Sequence, residues 1–290
     1  MSMTSAPAQM RLRPMTDDDL NAAYALSQKL KWPHRLEDWQ LMHRVSRGFV
    51  AEDAQGVFAT AFCCVQGAFS TIGLVIVSDE RQGQGFGRKL MELALAASDC
   101  ATATLAATVA GTPLYASQGF EAYEQLSQHQ GTVLVAPEPV SQTTVSQTTT
   151  LRPVDSRDHA ALLALASAGS GLERQTVLAE ILAIGEAAYV IEREGALVGF
   201  AVLRPFGRGS SIGPVIAESA QQAQALISRL LAQSVGRFVR IDVTASSGLG
   251  PWLEQFGLAD VGTVVQMSRG PAPQACGAVR QFAVITQALG

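Results

Sequence analysis

The chain has 290 residues, 48% of them hydrophobic and 16% charged, with a formal net charge of −4. That length suits two ordinary domains with a sizeable core, and the mildly acidic balance argues against nucleic acid or an anionic membrane as partner, since both select a basic face. No apolar run approaches the roughly 20 residues of a membrane span, and Met1 to Gln9 has neither the basic nor the apolar stretch of a secretory leader, so a cytoplasmic setting is expected.

The expected order from the N-terminus is a strand, helices, several strands, a helix, a strand, a short helix and further strands. Thr16 with Asp19 makes a capping-box pair, opening a helix with Leu20, Ala23, Tyr24 and Ser27 on one face. Trp32-Pro33 stops it, because a residue before proline avoids the helical region. Gly48 to Glu52, Gly56 to Cys64 and Phe69 to Val77 are rich in aromatic and β-branched residues and separated by Gly or Asp turns, the pattern of successive strands. Helical period returns from Gly85 to Ala97, with Phe86, Leu90, Leu93, Ala94 and Ala97 on one stripe. Ala101 to Val109 reads as strand, Thr112 to Gln118 as a short helix, and Phe120 onward as strand.

The chain then repeats itself. Leu12-Arg-Pro aligns with Leu151-Arg-Pro at an offset of 139, and Gly48-Phe-Val-Ala-Glu52 with Ala188-Tyr-Val-Ile-Glu192 at 140. Ser70-Thr-Ile-Gly-Leu-Val-Ile-Val77 faces Ser210-Ser-Ile-Gly-Pro-Val-Ile-Ala217 at 140, and Pro113 to Phe120 faces Pro251 to Leu258 at 138. Four blocks in one order at a nearly constant offset indicate a duplicated α/β (α+β) unit, each copy a mixed, mostly antiparallel sheet flanked by helices. Ala136 to Thr150 carries prolines, a Ser-Gln-Thr-Thr duplication and almost no large apolar side chain, the composition of a connection. The expected divisions are residues 9–135 as first domain, 136–149 as linker and 150–290 as second domain. Cys63, Cys64, Cys100 and Cys276 lack metal-ligand spacing and are expected to be buried free thiols in a reducing compartment.

The chemistry gathers at Val75-Ile-Val-Ser-Asp-Glu-Arg-Gln-Gly-Gln-Gly-Phe-Gly-Arg88, where a β-branched strand runs through glycines 83, 85 and 87 into a helix. Glycine permits positive φ and close backbone approach. The first helical turn offers unpaired N–H groups and the positive end of the dipole, so the loop is suited to a pyrophosphate. There is no Gly-Lys-Ser/Thr, which excludes a P-loop. The loop follows several strands, which excludes a Rossmann fingerprint after the first.

The segment resembles motif A of the GCN5-related N-acetyltransferases, in which a strand ending Val-x-Pro precedes Gln/Arg-x-x-Gly-x-Gly/Ala; here Asp79 replaces the proline. Gly111-Thr-Pro-Leu-Tyr115 followed by Gly119-Phe120 is similar to a second element of that family, with Thr108 where asparagine is frequent. The second copy looks like the degenerate domain of tandem members, marked by Ile212-Gly-Pro214 and Ile241-Asp-Val243. Its Gln222-Ala-Gln-Ala-Leu-Ile227 has lost every glycine of Gln82-Gly-Gln-Gly-Phe-Gly87.

The resemblance implies two tandem acyl-CoA N-acyltransferase-like domains and acetyl-CoA as co-substrate, bound by the first copy alone. Amides of Gln82, Gly83, Gln84, Gly85, Phe86, Gly87 and Arg88 would hold the pyrophosphate, and the backbone of Val75, Ile76 and Val77 would pair with the pantetheine arm like an added strand. A primary amine of a small molecule or amino-acid-like acceptor would attack the thioester directly. Tyr115 matches the family's acid. Glu52, His34, His43 and Asp242 are candidates for the base, and Trp32 and Trp39 for lining the acceptor site. The expected partner is a small-molecule amine, without nucleic acid, membrane or metal, and a homodimer stays open. A CoA-binding sensor without turnover, or a purely structural pair that binds no CoA, are the alternatives.

Overall fold

The computed structural model describes residues 10–137 and 149–290. In the first half, β1 (Arg11–Pro14), α1 (Leu20–Lys29), α2 (Leu36–Val45), β2 (Arg47–Asp53), β3 (Gly56–Gln66) and β4 (Phe69–Val77) precede α3 (Phe86–Ala96), β5 (Thr102–Ala107), α4 (Thr112–Ala116) and β6 (Glu121–Thr132). The second half repeats this as β7 (Thr149–Pro153), α5 (His159–Ser170), α6 (Gln175–Ala183), β8 (Ala187–Arg193), β9 (Ala196–Phe206) and β10 (Gly209–Ala217), then α7 (Ala220–Ala232), β11 (Phe238–Thr244), α8 (Gly250–Glu254) and β12 (Ala259–Arg269). A last strand, β13 (Arg280–Ala283), has no counterpart among the described residues of the first half. The leader reading of residues 1–9 and most of the linker expected at 136–149 lie outside the described residues.

The duplication extends to side chains. Arg13 grips Asp19 and Glu52, each at 2.6 Å, and Arg152 grips Asp158 at 2.7 Å and Glu192 at 2.8 Å. Both acids at the helix entry also accept a backbone N–H, from Thr16 and from Asp155, each at 2.8 Å, so each capping box is locked to β1 or β7 by an arginine.

The two sheets are one. Thirteen described strands run in the order β1-β2-β3-β4-β5-β12-β6-β11-β13-β10-β9-β8-β7. Pairing is antiparallel except at β4–β5 and β10–β11. The halves exchange their closing strands: β12 pairs with β5, from Val265 opposite Ala107 to Arg269 opposite Ala103, while β6 pairs with β11, from Phe238 opposite Thr132 to Thr244 opposite Leu126.

Alternate residues of the inner strands face opposite cores, as the two-residue period of a strand requires. On one face, Phe62 and Cys64 of β3 and Phe200 and Val202 of β9 join Trp39, Leu162, Leu178 and Ile181 in a cluster built from α1, α2, α5 and α6, and so from both halves. On the other, Ala61 and Cys63 pack under α3, and Ala201 and Leu203 under α7. Arg174 is buried at this junction; its Nη1 donates to Gln66 Oε1 at 2.7 Å and to the carbonyl of Leu289 at 2.6 Å, tying the last residues to the first half.

Candidate active site

β4 and β5 stay paired only from Phe69–Thr102 to Ile72–Leu105. Beyond that they diverge. Leu74 has φ +47, the left-handed region that costs a side chain energy, and its carbonyl accepts from Thr60 Oγ1 at 2.8 Å, next to a register shift between Thr60 and Phe62 on β3. The kink turns β4 away from β5, and no described strand pairs with Gly73 to Val77 on that side. An unpaired edge of this kind is where an extended arm can add as a strand.

The edge leads into the glycine loop. Gly83 and Gly85 have φ +74 and +83, and Gly85 is the N-cap of α3. A Cβ on either would meet nothing within 4 Å, so these two are glycines because of their backbone angle, and they face open solvent. Gly87 is different: a Cβ there would come 3.3 Å from Leu114 Cδ2, so it serves the approach of α4 to α3. Of the three glycines, two leave space open beside the loop backbone and one serves packing. Gln82 braces the turn, donating to the carbonyl of Val77 at 3.2 Å and to Asp79 Oδ1 at 2.9 Å. Arg81 pairs with buried Asp53, and exposed Arg88 and Lys89 stand on the first turn. Exposed amides, a dipole end and two cations fit a diphosphate.

The second half has the same splay and no room in it. β10 and β11 pair from Ser210–Val239 to Ile212–Ile241, and then β13 enters between them, placing Ala283 opposite both Val215 and Val243. At the head of α7 the chain uses its own groups: Ser219 Oγ accepts the N–H of Gln222 at 3.3 Å, and Gln222 Oε1 accepts that of Glu218 at 2.9 Å.

A cavity of about 360 Å³ opens where β4 and β5 part, between the halves. Gly73, Leu74, Ala106 and Thr108 form its floor; Trp32 and His34 come from the α1–α2 connection; Phe206, Arg208, Arg240 and Gln287 come from the second half. Of the candidate bases only His34 lines it. Its Nδ1 has no partner among the described residues, and burial, reinforced by Arg240 and Arg204 against the opposing Asp38, lowers its imidazole to about 4, so it is neutral near pH 7.

The other candidates lie elsewhere or are engaged. Glu52 is held by Arg13. His43 sits 3.3 Å from Asp17 with its ring edge on Phe62. Asp242 is paired with Arg240 at 2.8 Å behind the cavity wall. Trp39 is fully buried in the shared core, donating to Ser27 Oγ at 3.2 Å, and lines nothing. The expectation of buried thiols holds for Cys63 and Cys64; Cys100 is half-buried and Cys276 exposed.

Tyr115 packs edge-on to Phe120, with ring centroids 6.2 Å apart. A Cβ on Gly111 would lie 2.9 Å from its Cε2 and 3.5 Å from Thr108 Oγ1, so the ring neighbours the cavity floor without lining it. Burial pushes its phenol up to about 12. A phenol of reference pKa about 10 already releases its proton uphill to a thiolate of about 8.5, and burial steepens the gradient. Tyr115 is therefore suited to donate a hydrogen bond to a thiolate.

Comparison with known proteins identifies the family. Two family models, each described as an acetyltransferase (GNAT) domain, match residues 44–122 and 162–278, together more than half of the chain. A Bacillus subtilis protein described as "Uncharacterized N-acetyltransferase YitH" is 27% identical over 265 residues, spanning 89% of this chain and 91% of the relative.

The chain belongs to the GCN5-related N-acetyltransferase (GNAT) family, as a tandem member.

A crystal structure of a putative acetyltransferase from Pyrococcus horikoshii superposes with a TM-score of 0.77 at 17% identity, covering 100% of this chain and 99% of that one. A tandem GNAT protein from the clavulanic acid biosynthesis pathway superposes at 0.59 with 15% identity, covering 91% and 100%. At such identities the likeness is one of fold. Membership carries acyl transfer as the class of activity. What reading the sequence missed is which second-half residues line the cavity, Phe206, Arg208, Arg240 and Gln287. The one signal was Asp242, whose burial demands a partner; Arg240, two residues earlier on the same strand face, supplies it.

Proposed function

We propose that the first half binds acetyl-CoA and transfers its acetyl group to a primary amine in the cavity between the halves. The observation that carries this is the contrast between the two splays: one unpaired edge ending in exposed amides, and one filled by the protein's own β13. Residues 9–135 are then the coenzyme-binding domain, joined through 136–149 to a second domain, 150–290, that walls the acceptor site. Amides from Gln82 to Arg88 hold the pyrophosphate, and the backbone of Val75 to Val77 carries the pantetheine. The bound thioester supplies an electrophilic carbonyl. As the amine nitrogen bonds to it, the C–S bond breaks and the thiolate leaves.

Tyr115 stabilises that thiolate by donating a hydrogen bond, and the proton lost by nitrogen passes to His34, the one titratable candidate base on the cavity wall. Burial, with the nearby arginines adding to it, makes His34 a weak base, suited to a nitrogen already bonded to carbon and not to a free ammonium. The acceptor is a small molecule, and a cytoplasmic setting accompanies the reading.

Titration with acetyl-CoA tests it. One equivalent per chain is expected, with thiol release accelerated by an amine. Binding without acceleration by any amine would favour the sensor reading, and no binding would remove both.

A further inference from the structure

We infer that the acceptor amine also carries a carboxylate, which the second half recognises through Arg208 and Arg240. The inference rests on the acceptor site proposed above and adds its chemical class. The charged side chains on the cavity wall are Lys31, Arg208 and Arg240, and none of the lining residues is acidic. A polyamine or other dication would meet only like charge there.

Arg240 is built for the task. Its side chain is 9% exposed, and its Nε and Nη2 donate to Asp242 at 3.1 and 2.8 Å, which fixes the guanidinium while Nη1 is left without a partner among the described residues. Its plane is further held over Phe206, 5.3 Å from the ring centroid. A second guanidinium, Arg204, lies 5.1 Å from the same ring. It is 1% exposed, has no carboxylate in hydrogen-bond reach, and its Nε has no partner among the described residues.

The acids nearby are already engaged. Asp242 holds Arg240, and Asp38 holds Arg35 at 2.9 Å while accepting the N–H of Gly207 at 3.1 Å. Positive charge around the cavity thus exceeds negative. A guanidinium pre-positioned by one carboxylate gains most from a second one arriving on its free edge. Uniform binding of an uncharged amine would leave this charge uncompensated. The neutral His34 fits as well, because a protonated imidazole would be one more cation facing the same wall.

Matched acceptors given to the full-length enzyme decide the matter: an L-amino acid, its methyl ester, and the amine lacking the carboxyl group, with spermidine as a cationic control. A kcat/KM at least tenfold higher for the amino acid is expected. Exposed Arg208→Gln should reduce that preference severalfold without changing acetyl-CoA affinity, and Arg240→Lys should do so more strongly. Arg240→Gln would leave buried Asp242 without its partner, a stability cost that would blur the readout, so the other two variants are used. Equal or better turnover of the ester, the plain amine or spermidine overturns the inference.

Should no member be turned over although acetyl-CoA binds, N-acetyl amino acids are titrated into the CoA complex. Binding that weakens about tenfold in Arg208→Gln supports a carboxylate site, and no binding rejects it. Failure of acetyl-CoA to bind is seen before any acceptor is added, and identifies the underlying reading as the one at fault.

Discussion

The backbone N–H of Val284 donates to the carbonyl of Asp242 at 3.0 Å, immediately after β13 has paired with both β10 and β11. That bond completes the closure of the second splay. The same tail then crosses to the first half, where Ala288 packs against Gly73 at the mouth of the open one. One segment thus fills the second splay and lies at the mouth of the first, which under the proposed function lets the duplicated half shape the acceptor site.

Phe282 anchors that plug. It is fully buried in the core under α7, and deleting a buried phenyl ring costs about 3–5 kcal/mol. Phe282→Ala should lower the urea midpoint accordingly. It should not create a second coenzyme site, because Ser219 and Gln222 still occupy the head of α7. A stoichiometry of two acetyl-CoA per chain in this variant would contradict the assignment of the first half alone.

Gly85 separates backbone strain from steric exclusion. With φ +83 and open space beyond its Cα, Gly85→Ala should cost about 1 kcal/mol and weaken coenzyme binding modestly. Gly85→Glu adds a carboxylate where phosphate oxygens would approach, and should abolish binding while circular dichroism shows the fold intact. Undiminished calorimetric titration of Gly85→Glu with CoA would remove the loop from the site.

Much of this architecture is legible in the sequence, and the reasons are local. β4, Phe69–Val77, begins and ends where its β-branched run does, and α3 starts one residue after the glycine that a left-handed N-cap demands. The Leu-Arg-Pro repeat carries Arg13 and Arg152, the centres of the two ion-pair networks. The exchange of β6 and β12 is not legible, because period-2 alternation fixes which face a residue takes and not which strand lies beside it. For the same reason Trp39, on an amphipathic helix, reads equally as pocket or core, and only the fold closes it in between Ser27 of α1 and Phe62 of β3. The acceptor cavity drew its wall from segments of both halves, and only folding brings Trp32 and Arg240 to one space.

His34 predicts a pH dependence of stability. Its folded pKa of about 4 lies below the ordinary 6.5, so the unfolded chain binds the proton more readily. The stabilisation is complete above pH 6.5 and is lost as the pH falls toward 4. By pH 5 the loss amounts to about 2 kcal/mol. His34→Gln, which cannot titrate, should show a correspondingly smaller drop in unfolding free energy between pH 7 and pH 5. Identical pH profiles for the two proteins would show that the imidazole is protonated as easily folded as unfolded.

Tyr115→Phe distinguishes a hydrogen-bond donor from an acid. Loss of one hydrogen bond to a developing thiolate is worth about 1.5 kcal/mol, or roughly tenfold in kcat, whereas loss of a general acid typically costs 10²–10⁴-fold. Burial has carried this phenol further above a thiol's pKa, so the smaller effect is expected, with the KM for acetyl-CoA unchanged because the ring and its contact with Phe120 remain. The pH–rate profile across pH 7–9, set by deprotonation of the acceptor amine, should have the same shape in both proteins, since the phenol stays protonated throughout. A thousandfold loss in Tyr115→Phe would mean that the bound thioester draws the hydroxyl into proton transfer, and an unchanged kcat would mean that Tyr115 only packs α4 against the sheet.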